Sequence, residues 1–335
     1  MSGPILTSGD LRRRDLFWRL ACVSVAGIAL SYGSYAFRAS GANGQSKSGR
    51  VFPNLAQEVG QVTRIAVFSR PSDFELLRTD TGWVLPQSDS FPIAEAPLSA
   101  LIKALKDLRF IRELGSAAEL NPQTNLLDPA RGGEGILLRL EGADKRVLAE
   151  LILAKRGSVA LVKLASDEAI YEVNAVDWPN LEQASTWLDL PSFDIAPERI
   201  ATIALTRPTQ ARVEIVRRPD GGFAPIGGRA SPMITDIALF LGRFTPENVM
   251  KSTGLVGNPT FSHETSLKSG LILALDGYED NGRFWVKIRI DVGKATNPDE
   301  GERLAQKTEG WAFEMAPNLW TILTTPSALL LQASP

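Results

Sequence analysis

Histidine and cysteine are almost absent from this chain, whose 335 residues hold one of each, His263 and Cys22. A zinc site of imidazoles or thiolates, a Cys-His nucleophile pair and a disulfide framework each need more than that. An excess of one charge is also missing, because 36 basic residues face 38 acidic ones. No net positive field exists to hold a nucleic acid backbone, so no nucleic acid partner is expected. A P-loop string is absent, and with it the backbone cradle for a nucleotide phosphate. The pairs Gly132-Gly133, Gly221-Gly222 and Gly227-Gly228 lack the strand-to-helix setting of a dinucleotide fingerprint and read as turns. His263-Glu264 opens like a zinc-protease motif, but Ser266-Leu267-Lys268 supplies no second histidine, so His263 reads as a solvated loop histidine. The expected catalytic, cofactor-binding and metal-binding residues are therefore none.

With 44% hydrophobic and 22% charged residues, the chain has the composition of a folded globular protein, and its length suits about two domains. Long uncharged apolar runs are scarce, and the longest stands at the N-terminus. Arg12, Arg13 and Arg14 precede a stretch from Leu16 to Phe37 whose only charge is Arg19. Its apolar residues, among them Leu20, Val23, Ile28 and Leu30, surround the helical axis instead of keeping to one face. This pattern predicts residues 16–37 as a transmembrane helix or signal anchor. The basic cluster predicts residues 1–15 as a cytoplasmic tail and places the rest across the membrane. Ser34-Tyr35-Ala36 offers a cleavage site, and Arg13-Arg14-Asp15-Leu16-Phe17 resembles a twin-arginine export signal, so anchoring and release both stay open. Residues 38–50, small and polar, read as a flexible linker.

The remainder reads as an internal duplication, with a first repeat at 51–187 and a second at 188–335. Arg64-Ile65-Ala66-Val67 answers Thr202-Ile203-Ala204-Leu205, and Phe74 to Arg78 answers Val213 to Arg217. A glycine turn and an aromatic follow each pair, at Gly82-Trp83 and Gly222-Phe223. Next comes a helical stripe, Leu101, Ala104, Leu105 and Leu108 against Ile237, Phe240, Leu241 and Phe244. Gly135 to Gly142 then matches Gly270 to Gly277, and Val147 to Leu153 matches Phe284 to Ile290. The ends agree too, Ile170 to Val173 before Trp178 paralleling Ala312 to Met315 before Trp320. Asn281-Gly282 is a tight-hairpin signal, since both residues tolerate positive φ. The segments 121–135 and 251–269 read as irregular. The fold class predicted is α+β: two tandem duplicated domains of mainly antiparallel sheet, each with one principal amphipathic helix.

Candidate functional residues are few. Glycoside hydrolysis needs two acids at a set separation, and Asp189 with Asp194, or Asp276 with Glu279 and Asp280, are the available sets. Hairpin tips and caps gather acids for local hydrogen bonding, which is the better account of both. Trp187, Trp311 and Trp320 sit beside apolar repeats and read as core, whereas Trp83 reads as a strand-end anchor. Arg207, Arg212, Arg217 and Arg218 enrich one strand pair, as a solvated edge or a surface for an anionic partner.

Phe52-Pro53-Asn54-Leu55, Leu127-Asp128-Pro129, Thr186-Trp187-Leu188-Asp189-Leu190 with Asp194-Ile195 and Arg199-Ile200, and the closing Glu309-Gly310-Trp311-Ala312-Phe313 carry a resemblance. Over residues 51–331 the chain resembles an uncharacterised bacterial envelope family known only as a domain of unknown function. It departs from that pattern around Leu153 to Lys163, where Ala154 stands in place of a usual glycine. The resemblance implies one membrane segment, a large periplasmic part, and genes beside ABC transporter components of the gliding-motility type. The implied role is a non-catalytic binding or assembly subunit at the bacterial inner membrane. Its partners would be the membrane, through residues 16–37, and the transporter's permease and ATPase or other envelope proteins. The alternative is an exported periplasmic hydrolase or ligand-binding module acting on envelope glycan.

Overall fold

The computed structural model describes residues 47–117, 120, 126–129, 132–156 and 159–331. The tail at 1–15, the anchor at 16–37 and most of the linker at 38–50 lie outside the described residues. Among the described residues no helix is long and apolar enough to cross a membrane.

Two antiparallel sheets form the body of the protein. The first contains β1 (Gly49–Arg50), β2 (Val62–Phe68), β3 (Asp73–Thr79), β4 (Gly82–Leu85), β5 (Phe91–Pro92), β6 (Arg109–Ser116), β7 (Ile136–Gly142), β8 (Val147–Arg156), β9 (Val159–Leu164) and β10 (Ala169–Val173). The second contains β11 (Ile200–Thr206), β12 (Val213–Arg217), β13 (Phe223–Pro225), β14 (Val249–Lys251), β15 (Phe261–Leu267), β16 (Ile272–Asp280), β17 (Arg283–Asp291) and β18 (Trp311–Glu314). Without its outermost strands β1 and β5, the first sheet runs β6-β10-β9-β8-β7-β2-β3-β4. The second runs β14-β18-β17-β16-β15-β11-β12-β13, the same order position by position. The equivalent of β7 is thus β15, and β8, β9 and β10 correspond to β16, β17 and β18.

This corrects the match of Gly135–Gly142 to Gly270–Gly277, which is out by one strand. The segment 251–269, read as irregular, contains β15. That strand buries His263 and Thr265 at positions where an aliphatic would ordinarily face the core, so its apolar alternation is hidden. Asn281 and Gly282 do form the tight β16–β17 turn, both at positive φ (52° and 74°).

In the first half a single long helix, α2 (Glu95–Asp107), follows the short α1 (Leu55–Glu58), and buries Leu101, Ala104 and Leu105 against the sheet. Each buried leucine there contributes about 2 kcal/mol. The second half departs from the one-helix expectation. Its equivalent stripe is carried by two short helices, α3 (Pro232–Ala238) and α4 (Phe240–Arg243), which meet at Leu239. Ser231 caps the first by accepting from Ile234 N at 3.3 Å. Helix α5 (Pro298–Thr308) is inserted between β17 and β18, and α6 (Pro317–Thr324) and α7 (Ser327–Leu330) close the chain.

The two halves share one apolar core. Phe91 of β5 meets Trp311 edge-on, with ring centroids 4.8 Å apart, and lies 6.2 Å from Phe313. Beside it Asp89 accepts a hydrogen bond from Lys251 N at 2.7 Å, and the Lys251 ammonium lies 3.8 Å above the Trp311 ring.

Candidate functional site

A concavity lies at one end of the first sheet, where the β2–β3 turn meets the start of β7, the end of β8 and the segment after β10. The turn is locked locally. Ser69 Oγ donates to Ser72 O at 2.7 Å, and Ser69 N donates to Asp73 at 3.2 Å, so Arg70 and Pro71 project from its tip. Arg70 forms an exposed ion pair with Glu134 at 3.2 Å. At its floor Ile136 is half-buried over Leu153, its fully buried partner across β7 and β8.

The opposite wall is the segment Trp178-Pro179-Asn180-Leu181-Glu182. Trp187 Nε1 donates to Asn180 O at 2.8 Å, and Glu182 N donates to the Asn180 side chain at 2.9 Å, which hold this irregular stretch in place. The groove encloses about 680 Å³, within the range of sites that bind ligands or peptide segments. Its charged rim carries two acids, Glu134 and Glu182, against one base, Arg70. Trp178 Nε1 is buried and has no hydrogen-bond partner among the described residues, a cost of about 1–3 kcal/mol for an unpaired donor.

Two polar clusters lie elsewhere. On the outer face of the first sheet, Glu75, Arg64, Glu141 and Arg139 form a chain of ion pairs at 2.5, 2.8 and 2.6 Å. Burial pushes the neighbouring Glu150 carboxyl up, and Arg139 opposes that shift. Arg64 meets Glu75 and Glu141 across adjacent strands, as sheet-stabilising pairs do, and Arg139 reaches Glu141 along β7. The second cluster is in the core of the other half. Burial pushes the His263 imidazole down to about 4, and the charge of Arg207 adds to that. The Ile237 backbone approaches the ring, but neither ring nitrogen makes an aligned hydrogen bond. The ring packs edge-on against Phe240 at 5.4 Å.

The structure does not assemble the acid sets. Asp189 pairs with Lys307 at 2.8 Å, and Asp194 stands exposed on a backbone of positive φ. Asp276 accepts from Ser262 Oγ at 2.5 Å and pairs with Arg289 at 3.2 Å. Glu279 and Asp280 sit exposed by the hairpin tip, where Asn281 donates to Asp280 at 2.9 Å. Trp187 and Trp320 are buried as expected of core, Trp311 is half-buried at the junction of the halves, and Trp83 is half-buried on β4. Arg207 corrects the reading of a solvated arginine edge. It is 4% exposed, donating to Leu323 O and Ser327 Oγ at 3.0 Å each. Arg217 donates to the carbonyls of Ile200, Gly221 and Pro197, whereas Arg212 and Arg218 pair with Glu214 and Asp220 at the surface.

Nothing in the apolar periodicity marks Arg70 or Trp178 as groove residues. The signal for Trp178 is its spacing, since it follows Tyr171 by seven residues as Trp320 follows Phe313, and strand pairing makes those two aromatics equivalent.

Residues 83–233 match the family described as Domain of unknown function (DUF4340), a span from β4 through the first sheet into the second half. No curated protein and no solved structure matches the chain.

Proposed function

We propose that this protein is a membrane-anchored periplasmic binding or assembly subunit of an envelope ABC transport system, and that it is not itself an enzyme. In this reading residues 16–37 anchor the chain in the bacterial inner membrane, and residues 51–187 and 188–335 are two copies of one α+β unit. The identical strand order of the two sheets supports the duplication. The observation that carries the binding role is the groove beside Arg70, an open concavity with an apolar floor and a mixed-charge rim. The acids that would make a hydrolytic pair are instead exposed or engaged in local contacts, which favours binding over glycan hydrolysis. The transporter link rests on the resemblance of the sequence motifs.

The test is to tag the C-terminus at the native locus, extract membranes in mild detergent and identify what co-purifies. The expected result is an ATPase and a permease with the full-length chain, and neither with a form lacking residues 1–38. Recovery of the full-length protein alone, with hydrolysis of envelope glycan by the purified material, would replace this reading with the exported hydrolase.

A further inference from the structure

The described chain begins at the free edge of the first sheet, and that edge is basic. Lys47 and Ser48 lead into β1, which covers only the first two residues of β6, pairing Gly49 with Phe110 and Arg50 with Arg109. Helix α2 ends at Asp107 and runs straight into β6, so its last turns join the same edge. Over residues 47–50 and 103–113 stand six bases, Lys47, Arg50, Lys103, Lys106, Arg109 and Arg112, against two acids, Asp107 and Glu113. The whole chain carries a net charge of -2, so this edge is positive against the average.

Half of these bases are engaged. Lys47 pairs with Asp167 at 2.5 Å, Arg112 with Glu172 at 2.6 Å and Lys103 with Asp107 at 3.1 Å. The Lys103 bond holds the Asp107 carboxyl below its ordinary range, and the nearby charges of Arg50 and Lys106 act in the same direction. Arg50, Lys106 and Arg109 themselves have no ion-pair partner among the described residues. Between Arg109 and Arg112 the pairing of β6 with β10 skips Ile111, which bulges from the strand and is 57% exposed. An exposed apolar side chain flanked by unpaired bases suits a surface that is apolar just beneath a layer of negative charge.

The chain that precedes Lys47 places such a surface within reach. Nine residues separate Lys47 from Phe37, where the proposed anchor ends, and even fully extended they span at most about 35 Å. We infer that the β1–β6 edge rests on the phosphate headgroups of an anionic phospholipid bilayer, with Arg50, Lys106 and Arg109 on the phosphates and Ile111 at the top of the acyl layer. This rests on the anchor at residues 16–37 and is independent of the transporter link. The first sheet then stands edge-on. Nine strand spacings of about 4.8 Å separate β1 from β5, so the contact of Phe91 with Trp311 of the second half lies roughly 40 Å along the sheet from the headgroups.

The test uses the full-length protein with Cys22→Ser, so that a single introduced cysteine carries the fluorophore NBD. The probe position is Ile111→Cys, and the control is Val256→Cys, at a residue of the second half that is 88% exposed. Each is reconstituted into vesicles of phosphatidylethanolamine and phosphatidylglycerol containing a headgroup spin-labelled lipid, which quenches fluorophores at the bilayer surface. Strong quenching is expected at 111 and little at 256. One basic residue on an anionic surface favours the docked state about fivefold, so Arg50→Glu with Arg109→Glu should lower the docked fraction at least about tenfold. Vesicles of phosphatidylcholine alone should lower it in the unsubstituted edge as well. If the chain floats with the vesicles but 111 is quenched no more than 256, or equally in every lipid and variant, the inference is overturned and the anchor stands. A chain that does not float removes the anchor and this inference together.

Discussion

Two arginines in equivalent turns show how burial sets the value of a residue. Arg70 makes an exposed ion pair, which contributes at most about 1 kcal/mol, so Arg70→Ala should change the unfolding free energy by less than that. Arg207 bonds to Leu323 O and Ser327 from a buried position and has no carboxylate among its hydrogen-bond partners. Its loss strands a carbonyl at the end of α6, and Arg207→Ala should cost about 3 kcal/mol in a urea titration. His263 behaves in the opposite sense. It is buried without an aligned hydrogen bond, so His263→Leu should be neutral or stabilising by about 1 kcal/mol. Its pKa of about 4 in the folded protein lies below the ordinary value of 6.5, so the unfolded chain takes up its proton first. Stability is therefore full above pH 6.5 and falls as the pH drops toward 4, by up to about 3 kcal/mol from this group. Urea titrations across that range should show the slope in the wild type and lose this part of it in His263→Leu. An unchanged slope would remove His263 as its origin. None of this was legible in the sequence, where His263 read as a solvated loop histidine and Arg207 as a solvated edge.

Elements were legible where side chains repeat a period and hidden where they break it. The helical stripe at Leu101, Ala104 and Leu105 and the Asn281-Gly282 turn stand in the structure where their patterns put them. Strand β15 did not announce itself, because Ser262, His263, Glu264, Thr265 and Ser266 read as polar loop, while only the fold shows His263 and Thr265 facing inward. The groove was hidden for a related reason. Its residues come from four separated stretches that only strand pairing brings together. Gly277 offers a test of the β15–β16 register. A Cβ there would lie 2.3 Å from the Phe261 ring, so Gly277→Ala should destabilise by about 1–3 kcal/mol. A neutral result would contradict the pairing of Phe261 with Gly277. The closing helices belong to the same scale. Truncation after Ala316 removes Trp320 from Phe261 and Phe284, and should leave the second half expanded, with its near-ultraviolet circular dichroism lost.

At the scale of the molecule, the two sheets meet through Phe91, Trp311 and Phe313, with Asp89 and Lys251 beside them. Phe91 is 3% exposed, and Phe91→Ala should cost about 3 kcal/mol and uncouple the halves, turning one unfolding transition into two in calorimetry. A single transition with unchanged midpoint would show that the halves do not depend on this contact. Docking of a partner in the open groove of the first half, as proposed above, can be tested in living cells. The most direct measurement places a photo-crosslinking amino acid at position 182 in the full-length protein and irradiates living cells. One dominant adduct is expected, to a membrane-embedded transport component, and it should be absent when the crosslinker stands at position 212. No adduct at 182, or the same adducts from both positions, would contradict it.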